Sequence, residues 1–96
     1  MVYYYYGTTE GDYGPTYKSK IRKSSTLKNA LRGCYAMIQY GSWNDCYIVP
    51  NNRYTKKNAI AYVDTDGYGR NVRVIVIKDG KWNVVKSDGS LGERIR

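Results

Sequence analysis

Ser24-Ser25-Thr26-Leu27-Lys28-Asn29-Ala30-Leu31-Arg32-Gly33-Cys34-Tyr35-Ala36-Met37-Ile38-Gln39-Tyr40-Gly41 is the stretch on which the fold turns. Three hydroxyl side chains, each able to cap a helix start, stand directly before a run whose apolar residues recur every three or four positions. Leu27, Ala30, Leu31, Cys34, Met37 and Ile38 make one stripe, with Lys28, Arg32, Tyr35 and Gln39 opposite. That spacing predicts one amphipathic helix near 26–40, with Gly41 as the residue past its end. Gly33 inside it costs about 1 kcal/mol against alanine.

On either side of this helix the period changes from 3.6 to two. Val2–Tyr6 reads as a strand from its aromatic content, and Thr8–Pro15 reads as a loop of glycines, acids and a proline. Thr16–Lys23 alternates Tyr17, Ser19 and Ile21 with Lys18, Lys20 and Arg22, the pattern of a half-exposed strand. Beyond Gly41, strands are expected at Asp45–Val49, Asn58–Val63, Asn71–Lys78 and Lys81–Lys86. Asp79-Gly80 between the last two is a two-residue hairpin signal of type I′. Strand, strand, helix and then three or four strands predict an α+β fold: one antiparallel sheet of five to six strands with a helix on one face.

The chain has 96 residues, enough for a single domain spanning 1–96, with 87–96 expected as a polar tail free to fray. Leu, Ile and Val supply only 18 residues and Phe none, a composition bordering on disorder. Twelve Tyr and two Trp reverse that reading, since each buries on the order of 150–250 Å² and keeps a polar tip.

The chemistry of sites is largely excluded. There is no histidine, which removes the usual neutral-pH base and any Ser-His or Cys-His pair. Cys34 and Cys46 lack the spacing of a zinc motif, and Cys34 lies on the apolar stripe as an inert core thiol. Asp64-Thr65-Asp66-Gly67 fails as a calcium loop, because Tyr68 and Ile75 stand where oxygen ligands are needed. No enzyme, metal or cofactor is expected. Met1–Gly7 has neither the charge nor the long apolar run of a secretory signal, so the expected compartment is the cytosol, with both thiols reduced.

What remains is charge. The net charge is +8, and Lys18, Lys20, Arg22, Lys23, Lys28 and Arg32 contribute six of it within fifteen residues that contain no acid. Six cations on one strand and the adjoining helix turns suit phosphate, and a patch built only for solubility is usually mixed in sign. Tyr35 stands among these cations as a candidate for stacking on a base, and Arg53, Lys56 and Lys57 extend the set. Two functions are expected. The first is a basic, non-enzymatic module that contacts DNA or RNA phosphates with little sequence specificity, away from any membrane. The second is a small interaction protein of a phage or mobile element that binds an acidic or nucleic-acid-handling protein and inhibits it.

Overall fold

Of the three hydroxyl residues before the helix, Thr26 is the cap: its Oγ1 accepts the Asn29 N–H at 3.1 Å. The helix that follows, α1, runs Leu27–Tyr40. Ala30, Leu31, Cys34 and Met37 are buried, and Leu27 and Ile38 pack against the same core. Gly41 ends the helix by a different route from the one expected. Its backbone is extended (φ −99°, ψ −170°), so no left-handed turn is made. Its N–H donates to the Met37 carbonyl at 3.2 Å, and a Cβ there would sit 2.6 Å from that oxygen. The missing side chain, and not the backbone angle, is what this position requires.

The structure, a computed structural model, describes residues 1–9, 17–67 and 72–96. Most of the expected Thr8–Pro15 loop lies outside the described residues, as does the end of Asp64–Gly69, which the sequence marks as a turn rich in Asp and Gly. The strands are β1 (Tyr3–Thr8), β2 (Arg22–Ser24), β3 (Asp45–Val49), β4 (Ala61–Asp66), β5 (Arg73–Lys78), β6 (Lys81–Val85) and β7 (Leu91–Arg94). They form one sheet in the order β2-β1-β3-β4-β5-β6-β7, with every neighbouring pair antiparallel. The α+β reading and the placement of one helix on one face hold; the strand count is seven, not five to six.

The differences have local causes. The expected 16–23 strand shortens because the Gly7 N–H bonds the Ser19 hydroxyl (2.8 Å) instead of a backbone carbonyl, which breaks the ladder. Only a bridge between Thr8 and Lys18 and the short β2 remain of it. The expected 58–63 strand starts three residues later, because Lys56–Asn58 is a turn of 3-10 helix. The 87–96 segment is not simply a tail. The turn at Ser87–Ser90 leads into β7, and the Trp82 N–H still reaches the Arg96 carbonyl at 2.9 Å. Asp79 (φ 52°) and Gly80 (φ 74°) both adopt positive φ, the type I′ geometry expected between β5 and β6.

Side chains alternate across each strand, so the sheet has two faces with two cores. On the helix side, α1 covers Cys46, Ile48, Ala61, Val63, Val74, Val76 and Val85. On the other side, Tyr6, Tyr47 and Val49 are buried with Tyr4, Ile21, Tyr54, Ala59 and Tyr62 against them. Both cysteines are buried free thiols, and burial pushes the Cys34 thiol well up. Among the described residues, no helix is long and apolar enough to cross a membrane.

Candidate nucleic-acid interface

Residues directly opposite each other in antiparallel strands share a face and touch. The registers Tyr6↔Tyr47, Tyr47↔Tyr62, Tyr62↔Ile77 and Ile77↔Trp82 therefore join into a single row across five strands. The row lies on the helix-free face. Ring centroids are 5.5 Å apart for Tyr6 and Tyr47 and 5.0 Å for Tyr47 and Tyr62, and Tyr54 packs on Tyr6 at 5.9 Å. Tyr6 and Tyr47 are sealed in, whereas Tyr62, Ile77 and Trp82 are half-buried.

Cations cap the row. Lys18 Nζ lies 5.7 Å from the Tyr6 ring centroid, Lys56 Nζ lies 5.8 Å from Tyr47, and the Arg96 guanidinium lies 4.3 Å from Trp82. All three fall within the roughly 6 Å over which a cation and a ring face attract. Lys18 also donates to the Tyr54 carbonyl at 2.8 Å, tying the 50–58 loop to this end of the sheet. Within that loop Asn51 Oδ1 accepts from the Arg53 N–H (2.9 Å) and from Asn58 Nδ2 (2.7 Å). The clamp presents Arg53, Thr55, Lys57 and Asn58 around an open depression of about 330 Å³.

A polar cluster bounds the row on one side. Asp45 is buried, accepts from the Thr8 hydroxyl and lies 3.0 Å from the Tyr62 hydroxyl, which is also 2.8 Å from Asp64. One phenolic proton thus serves two carboxylates. Burial first, and then the hydrogen bond to Asp64 and the charge of Asp45, push the Tyr62 hydroxyl far above its ordinary pKa. It stays protonated as a donor.

The ten residues singled out by sequence do not gather into one patch. Lys18, Arg53, Lys56 and Lys57 meet at the Tyr6 end of the row. Lys23 is opposite Tyr4 and shares the helix-free face, whereas Arg22 is opposite Tyr5 and shares the helix side. Lys20 is exposed, outside any strand. Lys28 and Arg32 are exposed on α1, on the far side of the sheet from the row. Tyr35 is half-buried against the helix-side core, with Tyr40 edge-on at 6.2 Å, on the far side of the sheet from the row.

Sequence reasoning missed the row itself and gave no binding role to Tyr47, Tyr62, Trp82 or Arg96; Trp82 reads from sequence as a partner of the helix, whereas its register with Ile77 puts it on the opposite face. The one legible link was the Asp79-Gly80 hairpin, which fixes Ile77 opposite Trp82. The chain matches no protein-family model, no curated protein and no solved structure.

Proposed function

We propose that this chain is a small, non-enzymatic, cytosolic binding module that holds single-stranded nucleic acid with little sequence specificity along its helix-free face. The supporting observation is the convergence of Lys18, Arg53, Lys56 and Lys57 at one end of an in-register aromatic row whose far end, Tyr62 to Trp82, is partly accessible. Cations following a backbone beside rings that accept bases form a sequence-tolerant mode of single-strand binding. Asp45 and Asp64 repel phosphate, so the chain's path runs on the side of the 50–58 loop. Base stacking on Trp82 competes with Arg96, which then moves to a phosphate.

The test is oligonucleotide affinity against salt, read by Trp fluorescence, for the wild type and for Arg53→Gln/Lys56→Gln/Lys57→Gln. Single-strand binding has a log–log slope of about −0.7 per neutralised phosphate, so three lost contacts flatten it by roughly two. Trp82→Ala weakens single-strand binding by about 1–3 kcal/mol and leaves duplex binding unchanged. An unaltered slope in the triple variant refutes the assignment. No oligonucleotide binding, with a nuclease-resistant acidic partner lost from the same variant, replaces it by the reading of an inhibitor of a nucleic-acid-handling enzyme.

A further inference from the structure

Arg32, with Arg22 on the adjoining strand, belongs to the helix side of the sheet, where there is a separate cavity. Between the edge strand β2 and the flank of α1, the side chains of Tyr5, Ser24, Asn29, Arg32 and Ala36, with Gly33, line an open-mouthed cleft of about 340 Å³. That volume is at the small end of the range for small-molecule sites.

The local sequence explains the shape. Asn29 and Gly33, and likewise Arg32 and Ala36, are four residues apart, so all four lie on neighbouring rows of one helix flank. A Cβ on Gly33 would stand 2.3 Å from the Tyr5 hydroxyl oxygen and 2.5 Å from its Cζ. The glycine is therefore what lets the tyrosine lie against the helix and put its hydroxyl into the cleft. Ser24 is opposite Tyr3, and Arg22 is opposite Tyr5, on this same face. Burial raises the Tyr5 hydroxyl above its ordinary pKa despite a counter-pull from Arg22, so it remains a donor at neutral pH.

Among the described residues, the wall holds hydroxyl, amide and guanidinium groups and no carboxylate. Among the described residues, the side chains of Arg22, Ser24, Asn29 and Arg32 are engaged in no cross-element hydrogen bond or ion pair. Arg73 shows what a structural arginine looks like in this protein: its two terminal nitrogens are held by Asp66 at 2.6 Å and Glu93 at 2.7 Å. Arg32 in the wall and Arg22 on the adjoining strand pair with no described residue, and beside three uncharged donors they are matched to an anion with several acceptor oxygens; planar guanidinium forks fit phosphate in particular.

We propose that this cleft is a phosphate-binding site, in which Arg22 and Arg32 meet the non-bridging oxygens and Ser24, Asn29 and the Tyr5 hydroxyl donate to those that remain. The site stands independently of the helix-free face, with which it shares none of its residues. The phosphate has two chemical sources, a free or mononucleotide phosphate and a phosphodiester of a nucleic-acid strand.

Calorimetric titration of the whole protein with inorganic phosphate, a nucleoside 5′-monophosphate and a single-stranded oligonucleotide separates them. Arg22→Gln/Arg32→Gln, Tyr5→Phe and Lys56→Gln/Lys57→Gln are compared, each checked by its melting temperature. Losing two charge-assisted contacts weakens the ligand by roughly tenfold or more in the arginine variant. Tyr5→Phe gives a smaller loss, and the lysine variant leaves phosphate and monophosphate binding unchanged. Loss for phosphate and monophosphate assigns a terminal phosphate. Loss for the oligonucleotide alone assigns a phosphodiester. If a folded Arg22→Gln/Arg32→Gln protein binds all three ligands as the wild type does, or if the wild type binds none, the site is refuted. A change confined to the lysine variant bears on the helix-free face instead.

Discussion

Replacing Gly89 by alanine asks whether the C-terminal turn is docked on the helix. Gly89 is buried and has φ +89°. A Cβ built on it falls 2.0 Å from the Lys28 carbonyl oxygen, 2.8 Å from the Arg32 nitrogen and 3.0 Å from the Arg32 Cβ. The first two are backbone atoms inside α1, where a helical hydrogen bond joins them, so neither can yield as a flexible side-chain tip would. The left-handed backbone costs an ordinary residue about 1–2 kcal/mol. Forcing atoms into a packed contact adds about 1–3 kcal/mol. The expected loss is therefore about 2–5 kcal/mol, a large part of the ~5–15 kcal/mol available to a small domain. At ~4–8 °C per kcal/mol for a domain of this size, the melting temperature falls by roughly 10–40 °C.

Gly80→Ala is the internal control. Gly80 has φ +74° and nothing within 4 Å of the added Cβ, so it carries the backbone cost alone. Thermal and urea melts followed by circular dichroism give both losses, provided the transitions are two-state. The difference between them is the steric term at the helix. If Gly89→Ala is no worse than Gly80→Ala, the turn does not rest on α1 and residues 87–96 fray as their composition alone suggests.

Leu31→Ala is expected to cost about 2–5 kcal/mol in a urea melt, since Leu31 is 2% exposed at the centre of the helix stripe; a loss of a few tenths would place the stripe in solvent. Gly33→Ala is destabilising despite the ~1 kcal/mol that alanine gains in a helix, because the Tyr5 ring must leave its contact. In a Tyr5→Ala background the same change becomes stabilising, and a double-mutant cycle showing no reversal of sign would refute that account. Thiol titration finds two groups that react only after denaturation, because both cysteines are buried and burial raises the Cys34 thiol; two fast-reacting thiols in the native protein would contradict the packing.

Those features were legible where one residue type settles one local geometry. The hydroxyl cap within 24–26, the helix near 26–40 and the Asp79-Gly80 turn each carry their own signal, and the cap at Thr26, the helix at Leu27–Tyr40 and the turn agree with it. β7 was not legible, because Leu91-Gly92-Glu93-Arg94 is an edge strand held by backbone pairing to β6, with no alternation of side chains to announce it. The start of β4 depends on the Asn51 clamp seven residues from Asn58, a contact that no periodicity records. The candidate site was legible in kind and not in place. Charge clustered along the chain is separated in space when neighbours alternate, and Arg22 and Lys23 fall on opposite faces for that reason. The aromatic row needs four registers in succession, each invisible until the strands are aligned.

The same geometry accounts for a chain that uses tyrosine where others use phenylalanine. Seven strands at ~4.8 Å span about 29 Å from first to last, while a helix of 14 residues is only about 21 Å long and ~10 Å across. One such helix cannot cover one face of this sheet, and among the described residues the other carries no α-helix, only the 3-10 turn at Lys56–Asn58. The fully buried strand residues beneath α1 are Val, Ile, Ala and Cys, with the rings of Tyr3 and Tyr5 packed against them. On the helix-free face a ring must be apolar toward the strand beside it and polar toward whatever lies above, and Tyr62 does both, stacking on Tyr47 while its hydroxyl reaches Asp45 and Asp64. Phenylalanine at that position would remove the hydroxyl that donates to Asp45 and Asp64. A row that must be wet at one edge and packed at the other selects tyrosine for folding, and the same two-sided chemistry is what a base-stacking surface requires.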